Sequence, residues 1–308
     1  MNRSIKSNDC NGGNRMTLEQ LRIFVAVATQ QHVTRAAAAL NLTQSAVSAA
    51  VSSLEARHAV RLFDRVGRRI ELTEAGRLFL NEAVAVLARA EAAERMLADL
   101  SALKRGRIAI HASQTITGYW LPERLVAFHR RHPDVDVAVK AANTAQVAKA
   151  VLDGAADLGL VEGEVTDPLL DQDRLPGDRL LLLVGDGHPW RGRSDLPMAE
   201  LHRSPWVLRE AGSGTRSEFE EALRGQGRAP EDLPVALELP SNEAVLSAVM
   251  AGAGATALSD LVARGALLAG HLHRVPFPLP ERPFRLLRHR ERGLSHAART
   301  FRDLLLNE

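Results

Sequence analysis

Four short segments put hydroxyl and amide side chains where helices are expected to begin: Ser113-Gln114-Thr115, Asn143-Thr144, Gly212-Ser213-Gly214-Thr215 and Ser241-Asn242-Glu243. The first turn of a helix carries N–H groups without intrahelical partners and the positive end of the peptide dipole. Several such starts facing one crevice therefore make a site for an anion. The glycines flanking Ser213 lack a Cβ, so backbone there can approach a ligand closely. The same residues are also ordinary helix caps, and for each segment taken alone capping accounts for its sequence. Their combination points to a shared pocket.

A second cluster has different chemistry. Thr43-Gln44-Ser45-Ala46-Val47-Ser48 opens an expected helix with short or flat polar side chains, and Ser52 follows one turn later. Side chains of this kind at the N-terminal turns of a helix reach base edges in a DNA major groove, where Gln pairs bidentately with adenine. Arg35 before this helix and Arg57 near its end are placed for phosphate contacts, which position without specifying. Arg68 and Arg69 occupy the tip of an expected hairpin, suited to a minor groove or its phosphates. For each arginine the alternative is a solvated surface charge.

Catalytic and metal chemistry find little support. Gly252-Ala253-Gly254-Ala255-Thr256-Ala257 matches a dinucleotide fingerprint but follows an expected helix rather than a strand. No Gly is followed by Lys, so there is no P-loop; no His-Glu-x-x-His occurs, and no nucleophile elbow surrounds Ser213. His129/His132 and His271/His273 lack cysteine or carboxylate companions at ligand spacing, and the single cysteine, Cys10, permits neither an internal disulfide nor a multi-cysteine metal site. The expectation is a protein that is not an enzyme, without cofactor or metal.

The elements that must position these residues fall into two textures. Helices are expected at 17–30, 34–40 and 44–58, the last two joined by a tight turn at Asn41-Leu42 in the pattern of a helix-turn-helix. Alternating apolar residues around Gly67-Arg68-Arg69 predict a small wing over 62–72. A long helix over 73–104, about 45 Å at ~1.5 Å per residue, carries Phe79, Ala83, Val86, Ala90, Ala93, Leu97 and Leu100 at heptad spacing. That seam is read as pairing with a second copy. From Arg107 strands alternate with helices: strands at 107–112, 135–139, 157–161, 179–184, 206–209, 235–239, 255–258, 272–276 and 284–288, helices at 121–130, 145–152, 216–224, 243–250 and 295–306. The alternation predicts parallel sheets in two α/β lobes, with chain crossings near Arg179 and near 263–270.

Charge follows the same division. Of 308 residues, 39 are Lys or Arg and 37 Asp or Glu; residues 1–77 hold eleven of the former against six of the latter, leaving 28 against 31 beyond. A basic head on an acidic body suits a polyanionic partner for the head. No apolar run approaches the ~18 residues of a membrane span, and the polar leader 1–15 does not read as a secretory signal. A cytoplasmic location is the expectation.

With these residues in hand the chain resembles a LysR-type transcriptional regulator over nearly its full length from Met16. The resemblance rests on Leu18-x-x-Leu21-x-x-Phe24, Ala36-Ala37, Leu40, Thr43-Gln44-Ser45-Ala46-Val47-Ser48, Leu54-Glu55, Leu62-Phe63-Asp64-Arg65 and Leu72-Thr73-Glu74-Ala75-Gly76. It implies an N-terminal all-α winged helix-turn-helix with a long linker helix and a C-terminal α/β two-lobed, periplasmic-binding-protein-like domain. It also implies double-stranded DNA and a small effector as partners, with self-association as a dimer or tetramer. The corresponding boundaries are a leader at 1–15, the DNA-binding domain at 16–73, the linker helix at 74–105 and the effector domain at 106–308. Within the last, lobe I takes 106–180 and 266–308 and lobe II 181–265. Two departures stand out: Ala59 occupies a position usually held by Gly, and Ala49-Ala50 replace a polar pair. Arg209-Glu210-x-Gly212-Ser213-Gly214-Thr215-Arg216 and Asp157-x-Gly159-x-Val161-Glu162-Gly163 resemble regulators of sulfur and carbon assimilation, including a sulfite-responsive type. The implied effector is sulfite or a related oxyanion, the alternative a phosphorylated or carboxylate metabolite. Arg209 is placed either to neutralise such an anion or to pair with Glu162 or Glu210. An α/β enzyme using the cleft is the rival of a different class.

Overall fold

A computed structural model describes residues 16–66, 69–100 and 106–307. These form two compact units that divide within one helix, after Ala92. The expected leader, Cys10 and Arg68 lie outside the described residues, as do the side chains of Arg69, Leu97 and Leu100.

In the first unit α1 (Leu18–Gln30) begins with a capping box, Thr17 accepting from the Gln20 amide while the Gln20 side chain accepts from Thr17 N–H. Next come α2 (Val33–Ala39) and α3 (Gln44–His58), then β1 (Phe63–Val66) paired antiparallel with β2 (Arg69–Leu72), and α4 (Glu74–Leu100). Phe24 centres the core, 5.4 Å from the Phe63 ring and 4.9 Å from Phe79. Ile23, Val27, Ala36, Ala37 and Val47 form a second cluster that locks α1, α2 and α3 together. A polar tie fixes the hairpin to α3, because Glu55 Oε1 accepts from the Leu62 and Phe63 amides at 2.7 and 3.1 Å. Gly76 packs so closely that a Cβ there would overlap the Leu62 carbonyl.

The heptad seam of α4 divides in two. Phe79 and Ala83 turn inward onto the unit's own core, whereas Val86 is exposed. The reason is that Phe24 and Leu62 need a cover, and the first turns of α4 supply it.

The second unit carries β3 (Arg107–Ser113), β4 (Asp136–Ala142), β5 (Leu158–Glu162), β6 (Leu170–Gly185), β7 (Trp206–Arg209), β8 (Val235–Leu239), β9 (Ala255–Ser259), β10 (Leu272–Val275) and β11 (Glu281–His289). Its helices are α5 (Leu121–Arg131), entered through a π-helical turn at Ile116–Trp120, α6 (Thr144–Asp153), α7 (Gly214–Gly225), α8 (Asn242–Met250), α9 (Asp260–Leu268) and α10 (His296–Leu306). Strand order is β4-β3-β5-β11-β6-β9-β7-β8, with β10 beside β6. The sheets are mixed rather than parallel throughout: β3 runs parallel to β4 and β5, while β11 is antiparallel to β5 and β6, and β6 to β9 and β10.

β6 is the largest departure from expectation. It has 16 residues and begins nine residues before the strand expected at 179–184, because Asp171, Gln172, Asp173 and Arg174 carry no apolar signal. Its first part pairs with β11 in one lobe and its second part with β9 and β10 in the other. The return crossing also moves. Residues 260–268 form α9, and Leu272 and Val275 pair with Gly185 and Leu182 and pack in the second lobe's core, so the chain crosses back between β10 and β11 instead of at 263–270. One lobe is built around Trp120, Phe128, Phe284 and Phe301, the other around Trp190, Trp206 and Phe219.

Ala59, one of the two departures noted above, ends α3 in the left-handed region at φ 52°. A Cβ there costs roughly 1–2 kcal/mol, partly offset by the greater chain entropy that glycine has when unfolded. Ala59→Gly is expected to stabilise the first unit by about 0.5–1 kcal/mol, read as slower amide hydrogen exchange along α3. Unchanged exchange would mean the turn is unstrained.

Candidate functional site

The base-reading candidates lie along the first three turns of α3. Thr43 caps α3, its Oγ1 accepting from the Ala46 amide at 3.2 Å, and lies 3.0 Å from the Ser45 hydroxyl. Gln44, Ser45 and Ser52 are exposed and Ser48 is half-buried, while Val47 and Leu54 on the other side of the helix hold it to the core. Ala49 is exposed beside them and adds no polar group. Arg35 is exposed on α2, and Arg57 is half-buried in the last turn of α3.

In the second unit all four polar segments come together between the lobes. Ser113-Gln114-Thr115 and Asn143-Thr144 follow β3 and β4 of the first lobe; Gly212–Thr215 and Ser241-Asn242 follow β7 and β8 of the second. They are linked directly. Gln114 Nε2 donates to the Pro240 carbonyl at 2.9 Å and Gln114 Oε1 accepts from the Asn242 amide at 3.1 Å. Asn242, fully buried, donates from Nδ2 to Thr115 Oγ1 at 3.2 Å and accepts on Oδ1 from Arg209 Nη1 at 2.6 Å. Arg209 then holds Glu210, whose Oε1 accepts from Asn143 Nδ2 at 3.3 Å. The chain of bonds leaves the first lobe at Thr115 and returns to it at Asn143. Outside it, Tyr119 donates to Glu243 Oε1 at 3.3 Å, and burial together with that carboxylate raises the phenol above its ordinary pKa.

Several predicted ligands are therefore already engaged by the protein. Thr144 donates to the Glu162 carbonyl at 3.2 Å, and Thr215 accepts from Arg282 at 3.3 Å. Ser113 accepts weakly from the Ile116 amide at 3.4 Å, and Asn143 caps α6 by accepting from the Gln146 amide at 3.0 Å. Ser213, at the start of α7, makes no capping hydrogen bond. Gly212 has φ 86° and its carbonyl accepts from the Ala145 amide at 3.3 Å; at Gly214 a Cβ would overlap Thr144 Oγ1. Of the two pairings open to Arg209, Glu210 is the one observed, bidentately at 2.8 and 2.9 Å.

Sequence reasoning missed the polar cluster beneath the cleft. Arg282 and Asp178 form a buried bidentate pair at 2.5 and 2.9 Å, and the Ser259 hydroxyl also donates to Asp178. Glu162, 1% exposed, keeps Oε1 without a partner among the described residues. Burial pushes the nearby Glu218 carboxyl up, against the opposing charges of Arg282 and Arg285. The available signal was Arg282 itself, in step with the inward positions Phe284 and Leu286 of an alternating strand.

Comparison with known proteins places this geometry. A family described as "Bacterial regulatory helix-turn-helix protein, lysR family" matches residues 18–77, and "LysR substrate binding domain" matches 101–308. The "Uncharacterized HTH-type transcriptional regulator YeiE" of Escherichia coli K12 is 36% identical over 290 residues, 94% of this chain and 96% of that protein. The "Probable RuBisCO transcriptional regulator" of Cyanophora paradoxa is 32% identical over 295 residues, 94% of this chain and 91% of the other. The crystal structure of CbnR, a LysR family transcriptional regulator, shares the fold with a TM-score of 0.72 at 21% identity, over 95% of this chain and 99% of that one. The regulatory domain of Synechocystis PCC6803 CcmR in complex with 2-PG aligns at 25% identity with a TM-score of 0.59, over 65% of this chain and 96% of that domain.

Removing one member of a buried ion pair strands the other charge, which costs about 3–5 kcal/mol. Arg282→Met is expected to lose stability on that scale in denaturant unfolding, and adding Asp178→Leu to recover part of the loss. A double variant no more stable than the single would show that the β6–β11 junction needs the pair's shape rather than its charge balance.

Proposed function

The chain belongs to the LysR family of DNA-binding transcriptional regulators, with a C-terminal effector-binding domain, and from that premise we propose that a small anion bound between the two lobes sets its grip on DNA. The observation that carries this reading is the convergence of four strand-to-helix junctions where the two lobes meet, with the Ser213 side chain making no cap to α7. In open α/β sheets ligands lie at the carboxyl ends of strands, where all four junctions sit. The effector class is a small oxyanion such as sulfite, or a phosphorylated or carboxylate metabolite. The relationship to RuBisCO regulators and to a domain that binds 2-PG supports the second group as much as the first.

At the DNA end Gln44, Ser45 and Ser48 read base edges from the start of α3, with Ser52 one turn behind. Arg35 and Arg57 bind phosphates, and Arg68 and Arg69 serve the wing. A second copy of the chain, joined through the linker helix, provides the matching recognition helix for a two-fold site. Val86 on the exposed side of α4 supports that contact. Effector binding changes how the lobes meet, and a dimer or tetramer passes that change to the paired helices.

Outcomes are expected at both the effector and the DNA end. Thermal unfolding in sulfite, sulfate, thiosulfate, phosphate, small carboxylates and 2-PG should show a dose-dependent rise for one class, since binding stabilises the native state by mass action. Ser213→Ala, at a hydroxyl that makes no capping hydrogen bond, should abolish that rise and leave unliganded DNA affinity unchanged. A flat response to every anion would sink the effector reading. At the DNA end Gln44→Ala should relax discrimination at one base pair by about 1–3 kcal/mol, whereas Arg35→Ala should weaken all sequences alike and reduce the salt slope by about one. Uniform weakening by Gln44→Ala would remove it from base reading.

A further inference from the structure

Arg209 is the last residue of β7 and Glu210 the first beyond it. Neighbouring side chains on an extended strand point to opposite faces, yet here Glu210 folds back so that its carboxylate meets the guanidinium edge to edge. Arg209 Nε donates to Oε2 at 2.8 Å, Nη2 donates to Oε1 at 2.9 Å, and Asn143 Nδ2 from the opposite lobe donates to Oε1 at 3.3 Å. The remaining Nη1 is anchored on Asn242. The Arg209 side chain is 4% exposed and that of Glu210 24%, so the cation belongs to the framework while the anion lies toward solvent.

We propose that Arg209 and Asn143 form the carboxylate-recognition group of the cleft, that Glu210 is its resident occupant, and that the effector enters by displacing Glu210 with a carboxylate of its own. This rests on the reading that the cleft binds a small anion, and narrows its class. Two parallel N–H groups of a guanidinium match the coplanar oxygens of a carboxylate in a fork geometry, and Asn143 supplies a third donor to the same oxygen edge. Glu210 is covalently tethered beside Arg209 and so competes at high effective concentration. The site is open only for the fraction of time Glu210 swings away, and ligand affinity falls by that fraction. Because Asn143 and Glu210 belong to different lobes, exchanging Glu210 for a free carboxylate also removes a covalently anchored link across the cleft. Ligand entry and lobe contact are thus coupled at one residue.

The test uses the full chain. Glu210→Ala deletes atoms equivalent to acetate and leaves Arg209 buried without its anion. It should unfold at a lower midpoint in sodium chloride, and sodium acetate at equal ionic strength should raise that midpoint by about 3–6 °C. Acetate should bind Glu210→Ala at least about ten-fold more tightly than wild type, and adding Arg209→Lys should abolish the rise. Equal midpoints in acetate and chloride overturn the proposal, as does an acetate response that survives Arg209→Lys. Should Glu210→Ala not fold, Glu210→Gln removes the charge at nearly constant volume, and the same acetate-over-chloride comparison decides. A wild-type response to a panel anion that Glu210→Ala leaves unchanged in affinity would keep the cleft reading and discard this one. A wild type indifferent to every anion beside an acetate-rescued Glu210→Ala would overturn both the effector reading and the displacement of Glu210, leaving Arg209 and Asn143 as a carboxylate site that Glu210 does not vacate.

Discussion

One strand belongs to two sheets, and the effector domain depends on that constraint. β6 pairs with β11 in the first lobe and with β9 and β10 in the second. Where it changes partners the backbone must press against its neighbour: a Cβ at Gly177 would overlap the Arg282 carbonyl, and the β6–β11 register shifts between Arg282 and Phe284. A bulge next to a functional cleft re-aims side chains, and here it turns Arg282 and Asp178 inward against each other. Two charges taken out of water are tolerable only when paired and hydrogen-bonded. Asp178 meets that demand with Arg282 and Ser259 together.

The cleft inherits its character from this hinge. Thr215, in the first turn of α7, is tied to Arg282, while Glu162 ends β5 beneath the same turn. Directly above, the ring of bonds from Thr115 through Asn242, Arg209 and Glu210 to Asn143 closes the lobes on each other. Each member is hydrogen-bonded to at least one other, and mutual satisfaction of this kind is what keeps a buried polar network stable. Such a network is also easily redirected, because a ligand offering equivalent acceptors can replace a protein group without leaving donors unsatisfied.

The DNA-binding unit meets a different demand, holding one short helix rigidly while leaving one face of it bare. Val47 and Leu54 anchor α3, the Thr43 cap fixes its first turn, and Glu55 binds the hairpin's entry through two backbone amides. With those restraints on one side, Gln44 and Ser45 can remain exposed and polar on the other. The serines carry little side-chain entropy to lose on contact, which suits the base-reading role proposed for them.

Much of this was legible beforehand. Helical spacing and capping residues located α1, α3 and the start of α4, and hydroxyl and amide residues marked four strand-to-helix junctions, because propensity, caps and periodicity are local properties of the chain. What local pattern does not contain is pairing. Asp171 to Arg174 read as loop because their strand is defined by β11 rather than by apolar alternation. Residues 272–275 looked like a return to the first lobe until their register against β6 placed them in the second. The sequence alone left Arg209 open between a ligand and two carboxylates, and only the fold-back of Glu210 chose. Arg282 stood at an inward position of an alternating strand with its counterpart out of sight, since Asp178 lies 104 residues away and meets it only when β6 and β11 pair. Sequence determined where helices, caps and polar junctions fall; tertiary structure decided which residues hold one another, because long-range pairing depends on contacts that no stretch of neighbouring residues encodes.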